Sequence, residues 1–145
     1  MHKTKQIKYG QIEADIDEKI APLILEIWKS GIATDESCQD YDGDIFIGFA
    51  STSDFLRFLH LLSCNSDYFK CKCHSLSADN IAWDDADWKM WNLLQEVDEA
   101  QFDFAPCLTF PPKDMSLIIE KLTGEIAQDD DDEEGQLEDF VDAGF

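Results

Sequence analysis

Apolar residues recur at helical spacing in "DIDEKIAPLILEIWKSGI", where Ile16, Ile20, Leu23, Ile24 and Ile27 form one stripe. Asp15 and Asp17 are candidate N-caps, and Pro22 falls early, where a missing N–H does least harm. Gly31 followed by Ile32 fits a Schellman ending against Ile27. The pattern then changes period. In "DIFIGFA", Ile45, Ile47 and Phe49 alternate with Phe46, Gly48 and Ala50, which predicts a strand. The polar stretch "ATDESC" before it predicts the partner strand, with Asp42-Gly43 as the reversal of a hairpin. "STSDFLRFLHLL" opens with a capping box, Ser51 and Asp54, and puts Phe55, Phe58, Leu59 and Leu62 on a second helical stripe.

The second half is less regular. "YFKCKCHSL" alternates Phe69, Cys71 and Cys73 with polar residues, as a short edge strand does. "ADWKMWNLLQEV" reads as a strand, with a pattern also compatible with a helix, and "FDFAPCLTFPP" predicts a strand ended by Pro111-Pro112. Pro112 suits a helix start, and Met115, Ile118, Ile119 and Leu122 supply a last stripe that closes at Gly124. Two stretches, "IFIGFASTSDFLRFLHLL" and "PCLTFPPKDMSLIIEKL", share a form: strand, Phe, short bend, Asp, amphipathic helix. That form fits either an internal repeat or a generic strand-to-helix junction. The order α-β-β-α-(β)-β-β-α predicts an α+β fold, an antiparallel sheet with helices on one face. Residues 1–10 read as a flexible basic end, 11–124 as a single domain, and 125–145 as an acidic tail.

Charge sharpens this picture. The net charge is −21, and ten of the 32 carboxylates follow Gly124, where no base occurs. Residues 1–123 therefore hold 22 acids against 11 bases, a body charge of −11. Such a field repels a phosphate backbone, so direct nucleic-acid binding is excluded and a partner with a basic surface is expected. With 44% hydrophobic and 12% aromatic residues, the body is globular. No apolar run is long enough to span a membrane, and Lys3, Lys5 and Lys8 precede no apolar stretch of a secretory signal. Five cysteines without framework spacing fit a reducing compartment, hence a cytoplasmic protein.

Candidate chemistry is sparse. A nucleophilic Cys38 needs a nearby cation or helix N-terminus, but its neighbours are Asp35, Glu36, Asp40, Asp42 and Asp44. Asp40, Asp42 and Asp44 repeat the opening of a calcium loop, yet the glycine comes two positions early and Ser51 stands where a bidentate glutamate belongs. A solvated turn is the simpler expectation. His60 and Cys64, at i and i+4, with Cys71 and Cys73 nearby, are four candidate zinc ligands. Trp83, Trp88 and Trp91 crowd Phe102 and Phe104, as in a core or a binding platform. In the tail, Leu137, Phe140 and Val141 form a short apolar stripe that can order on a partner. No phosphate-binding loop, GxGxxG, G-x-S-x-G or HExxH is present.

The helix with its "WKSGIATDESC" junction and the "FPPKD" strand end resembles small uncharacterised proteins of bacteria and their phages. A shorter stretch around "TDESC" resembles the wybutosine-synthesis methyltransferase family, whose element continues with Gly-Arg where Gln39-Asp40-Tyr41 stand here. Neither likeness brings an activity. The expectation is a non-enzymatic acidic binding protein without cofactor, engaging a basic surface through Asp40, Asp42, Asp44, Trp88, Trp91, Leu137, Phe140 and Val141. The phage likeness implies one concrete version, an anti-restriction or anti-CRISPR inhibitor that mimics nucleic acid. The alternatives are a binder of a small ligand or nucleotide derivative, in a pocket near Trp28, Cys38 and Trp88/Trp91, and a small zinc protein.

Overall fold

The computed structural model describes residues 2–77 and 86–131, the last seven by backbone alone. The chain opens with a hairpin of β1 (Thr4–Tyr9) and β2 (Ile12–Asp17). Its reversal places Gly10 at φ +62°, a conformation glycine adopts without a steric cost. This corrects the expectation of a flexible end over residues 1–10. Ile7 and Ile16 turn inward and are buried, and Lys8 stands opposite Glu13. The first helix therefore starts later than its stripe predicts. A 3-10 turn, Glu18–Ile20, leads into α1 (Ala21–Lys29), with Pro22 in the first turn. Its C-terminus is the Schellman motif: Ile32 N–H donates to Ile27 C=O, Gly31 N–H to Trp28 C=O, and Gly31 takes φ +82°.

The main sheet has the order β3-β4-β6-β5, antiparallel throughout, with β3 (Thr34–Tyr41), β4 (Asp44–Phe49), β5 (Lys89–Asp98) and β6 (Gln101–Phe110). The β3–β4 reversal is the expected one. Asp42 and Gly43 both have positive φ, 57° and 91°, as a tight primed turn requires. After β4, Ser51 Oγ accepts from Asp54 N–H at 3.1 Å and caps α2 (Thr52–Ser63). Two further helices complete the fold, α3 (Asp67–His74) and α4 (Met115–Asp131).

Helices pack on one face of this sheet, as expected for an α+β fold. Ile45, Ile47, Phe49, Leu108 and Phe110 point into a core shared with Phe55, Phe58, Leu62, Ile118 and Leu122. Each such side chain contributes about 1.5–3 kcal/mol on burial. No helix among the described residues is long and apolar enough to cross a membrane.

Two expected elements are corrected. "YFKCKCH" is α3, not an edge strand: Ser66 Oγ caps it through Phe69 N–H at 3.2 Å, and only Phe69 is buried. Gly124 does not close the last helix, because α4 continues to Asp131.

The order α-β-β-α runs twice, α1-β3-β4-α2 and then α3-β5-β6-α4, and the strand order β3-β4-β6-β5 is symmetric about its centre. Aligning Phe49 with Phe110 puts Ile47 on Leu108, and these two are register partners. A pair that exchanges with itself marks a local twofold relation between the halves. The halves differ in one respect. Strands β3 and β4 have eight and six residues, whereas β5 and β6 have ten each.

Candidate interaction surface

The surplus length of β5 and β6 forms a projecting ribbon. β4 pairs with β6 across Cys107–Phe110, so from Gln101 to Pro106 strand β6 has β5 as its one ladder partner among the described residues. On the core side of the sheet, Leu94 stands opposite Phe104, and Phe102 follows two residues out. Nearer the base that side is covered by helices; here, among the described residues, nothing covers it. Leu94 is 65% exposed, Phe102 61%, Phe104 55% and Val97 61%. Isolated exposed apolar residues are ordinary, but Leu94, Phe102 and Phe104 share one side of this ribbon and make a patch, while Val97 stands at the register shift between Glu96 and Asp98.

Carboxylates share this ribbon. Between Met90 and Pro112 the chain carries Glu96, Asp98, Glu99 and Asp103 and no lysine or arginine. Asp103 accepts from Phe104 N–H at 2.8 Å, capping a backbone donor with its own side chain. At the tip, Glu96 accepts from Ala100 N–H at 3.3 Å. Ala100 has φ +62°, which crowds its Cβ against the following carbonyl. Ala100→Gly is therefore expected to stabilise the protein by about 0.5–1 kcal/mol, read as a small rise in the thermal midpoint.

The sheet face turned away from the helices continues the same chemistry. Tyr41, Phe46 and Trp91 stack there with ring centroids 5.2–6.2 Å apart. Tyr41 is 49% exposed beside the turn that carries Asp40, Asp42 and Asp44. Asp40 accepts from Gly43 N–H at 3.0 Å, so one member of that acidic trio serves the turn itself. Burial, then the charges of Glu36 and Asp35, push the Cys107 thiol up on this face.

The ribbon is anchored at its base by a buried carboxylate. Asp114, 1% exposed, accepts from Trp88 Nε1–H at 2.7 Å and from Tyr68 O–H at 2.5 Å. It ties α3, the entry to β5 and the start of α4 together. The bond from Tyr68, then its partial burial, push the phenol up to about 12.

The predicted site residues divide accordingly. Asp40, Asp42 and Asp44 lie at the surface turn, and Trp91 joins them through Tyr41. Trp88 does not belong to a binding surface: it is 1% exposed and stacks on Phe110 at 5.5 Å. Leu137, Phe140, Val141 and Trp83 lie outside the described residues.

The zinc set His60, Cys64, Cys71 and Cys73 is not assembled among the described residues. Two residues apart on a helix, Cys71 and Cys73 face different ways. Cys71 is exposed, while Cys73 Sγ lies 3.8 Å from Leu59 C=O, and burial pushes that thiol up to about 12. Of the residues expected to line a pocket, Trp28 belongs to the core. Trp28 is 2% exposed, and its Nε1–H donates to Thr34 Oγ1 at 2.9 Å. Open space lies elsewhere, in a groove of about 560 Å³ beside Tyr68, Phe69 and Leu117 and in a cavity of about 310 Å³ beside His2, Gln39 and Met115.

Sequence reasoning noticed Phe102 and Phe104 but missed Leu94, Val97 and the carboxylates around them. The available signal was "NLLQEVDEAQFDF", apolar on both faces of a strand while rich in acid, a combination that suits neither a core nor a plain solvated hairpin. Compared with protein-family models, curated proteins and solved structures, the chain matches none.

Proposed function

We propose that this protein is a cytoplasmic, non-catalytic acidic binding protein that docks on a basic surface of another protein. One observation carries the reading: an apolar ribbon, uncovered among the described residues on the side that helices cover elsewhere, carries four carboxylates with no intervening cation. Apolar anchors supply affinity when desolvated, whereas rim charges select a complementary partner and speed encounter. The aromatic stack beside Asp40, Asp42 and Asp44 extends the same surface. The body charge of −11 and the resemblance to phage proteins support a specific version, in which the carboxylates occupy the phosphate positions of a nucleic-acid site on an enzyme.

The test is capture of basic nucleic-acid-binding proteins across a salt series, with and without duplex DNA. Mimicry predicts capture that falls steeply with salt and is competed by DNA. Salt-sensitive capture that DNA does not compete leaves a basic partner without mimicry. Capture indifferent to both sinks the electrostatic reading altogether.

A further inference from the structure

The N-terminal hairpin does more than extend the core. Its end lies against the free edge of β3, where Asp17 Oδ2 accepts from Gln39 N–H at 3.0 Å and Gln39 Oε1 accepts from Lys19 N–H at 2.8 Å. This closes part of an edge that would otherwise present bare donors. The same contact brings three side chains from separate elements together: His2, Asp17 and Cys38. One donor atom from each lies within 4.8 Å of the other two, and His2 Nε2 is 4.0 Å from Cys38 Sγ.

We propose that His2, Asp17 and Cys38 form a three-ligand site for a borderline divalent cation of the zinc class. The donor set is mixed nitrogen, oxygen and sulfur, which suits such a cation and not calcium or magnesium. Bond lengths of about 2.0 Å to nitrogen and 2.3 Å to sulfur at a tetrahedral angle place the two donors about 3.5 Å apart. The observed 4.0 Å needs about half an ångström of closure, and the cluster as a whole, with its donors within 4.8 Å of one another, draws in by at most about an ångström more. The Gln39 amide holds one carboxylate oxygen of Asp17, as the outer partners of metal ligands do.

A nucleophilic Cys38 is the weaker reading of the same cluster. A thiolate beside a carboxylate is repelled, and Asp35 and Glu36 stand close in sequence. A cation between sulfur and carboxylate reverses that repulsion. The fourth position stays open to water or to a group from outside, next to the cavity of about 310 Å³ that His2 and Gln39 help to line.

The experiment uses full-length protein without a polyhistidine tag, stripped with chelator and titrated with Co²⁺ and then Zn²⁺. The expected result is uptake of one equivalent with a thiolate-to-cobalt charge-transfer band that zinc displaces. Cys38→Ser removes the band, His2→Ala weakens binding roughly tenfold to a hundredfold, and Cys71→Ser changes neither. Both His2 and Cys38 lie outside the buried core, so their variants report on the site and not on folding. A band that survives Cys38→Ser, or uptake unchanged in His2→Ala, overturns the assignment. So does the absence of uptake.

Discussion

Asp114→Ala is expected to cost about 2–4 kcal/mol of folding stability and to lower the thermal midpoint by roughly 10 °C. The carboxylate takes two hydrogen bonds inside the protein, from Trp88 at 2.7 Å and Tyr68 at 2.5 Å. Each hydrogen bond to a charged group contributes about 1.5–3 kcal/mol, and contributions of linked bonds do not simply add. Alanine leaves the indole N–H of Trp88, a residue 1% exposed, without its acceptor. Asp114→Asn keeps an oxygen for Trp88 and is expected to lose about half as much.

A second readout separates this latch from generic core damage. Tyr68 is one of three tyrosines, and its phenol, pushed up to about 12, should ionise last in an alkaline absorbance titration. In Asp114→Asn it should return towards the ordinary value of about 10. The linkage sign follows from a pKa raised on folding. The stabilisation is whole below pH 10 and is lost as pH climbs through about 12. If the phenol still ionises near 12 in Asp114→Asn, Asp114 is not its controlling partner.

The triple variant Leu94→Ser, Phe102→Ser, Phe104→Ser is expected to weaken capture of the basic partner by roughly a hundredfold or more while barely moving the thermal midpoint. All three side chains are more than half exposed, and surface substitutions usually change stability within about 0.5 kcal/mol. Aromatic anchors at an interface centre each contribute about 2 kcal/mol or more, and 1.4 kcal/mol is tenfold in affinity. Reversing the ribbon's charge with Glu96→Lys and Glu99→Lys should act differently, slowing association and flattening the salt dependence. Should the serine variant bind as the parent does, with its fold intact by circular dichroism, the ribbon is not the docking surface.

What was legible in the sequence tracks how local its cause is. The Asp42-Gly43 reversal, the Ser51/Asp54 capping box and the Gly31–Ile32 helix ending each depend on chemistry within six residues, and each formed as read. The hairpin before α1 was hidden because Ile16 fits two periods at once. It alternates with Ala14 along β2 and also stands four residues before Ile20. The short helix α3 buries only Phe69, so it has no helical stripe to display, whereas its Phe69-Cys71-Cys73 spacing imitates a strand.

The ribbon could not be located for a different reason. Whether Leu94 and Phe104 are covered depends on where helices from distant parts of the chain end, and strand periodicity carries no record of that. The His2–Asp17–Cys38 cluster is likewise the product of a register between separate elements, with the imidazole and the thiol 36 positions apart in the chain.

Beyond Cys107 the ribbon's outer margins pair with no other strand among the described residues, the feature that in many proteins seeds stacking of identical chains. Here each copy would meet another with Glu96, Asp98, Glu99 and Asp103 facing their own kind, and the mutual repulsion keeps such margins apart. The acidity that invites a cationic partner thus also enforces solitude. Raised ionic strength, which shortens the reach of those charges to a few ångströms, loosens the recognition and the isolation together.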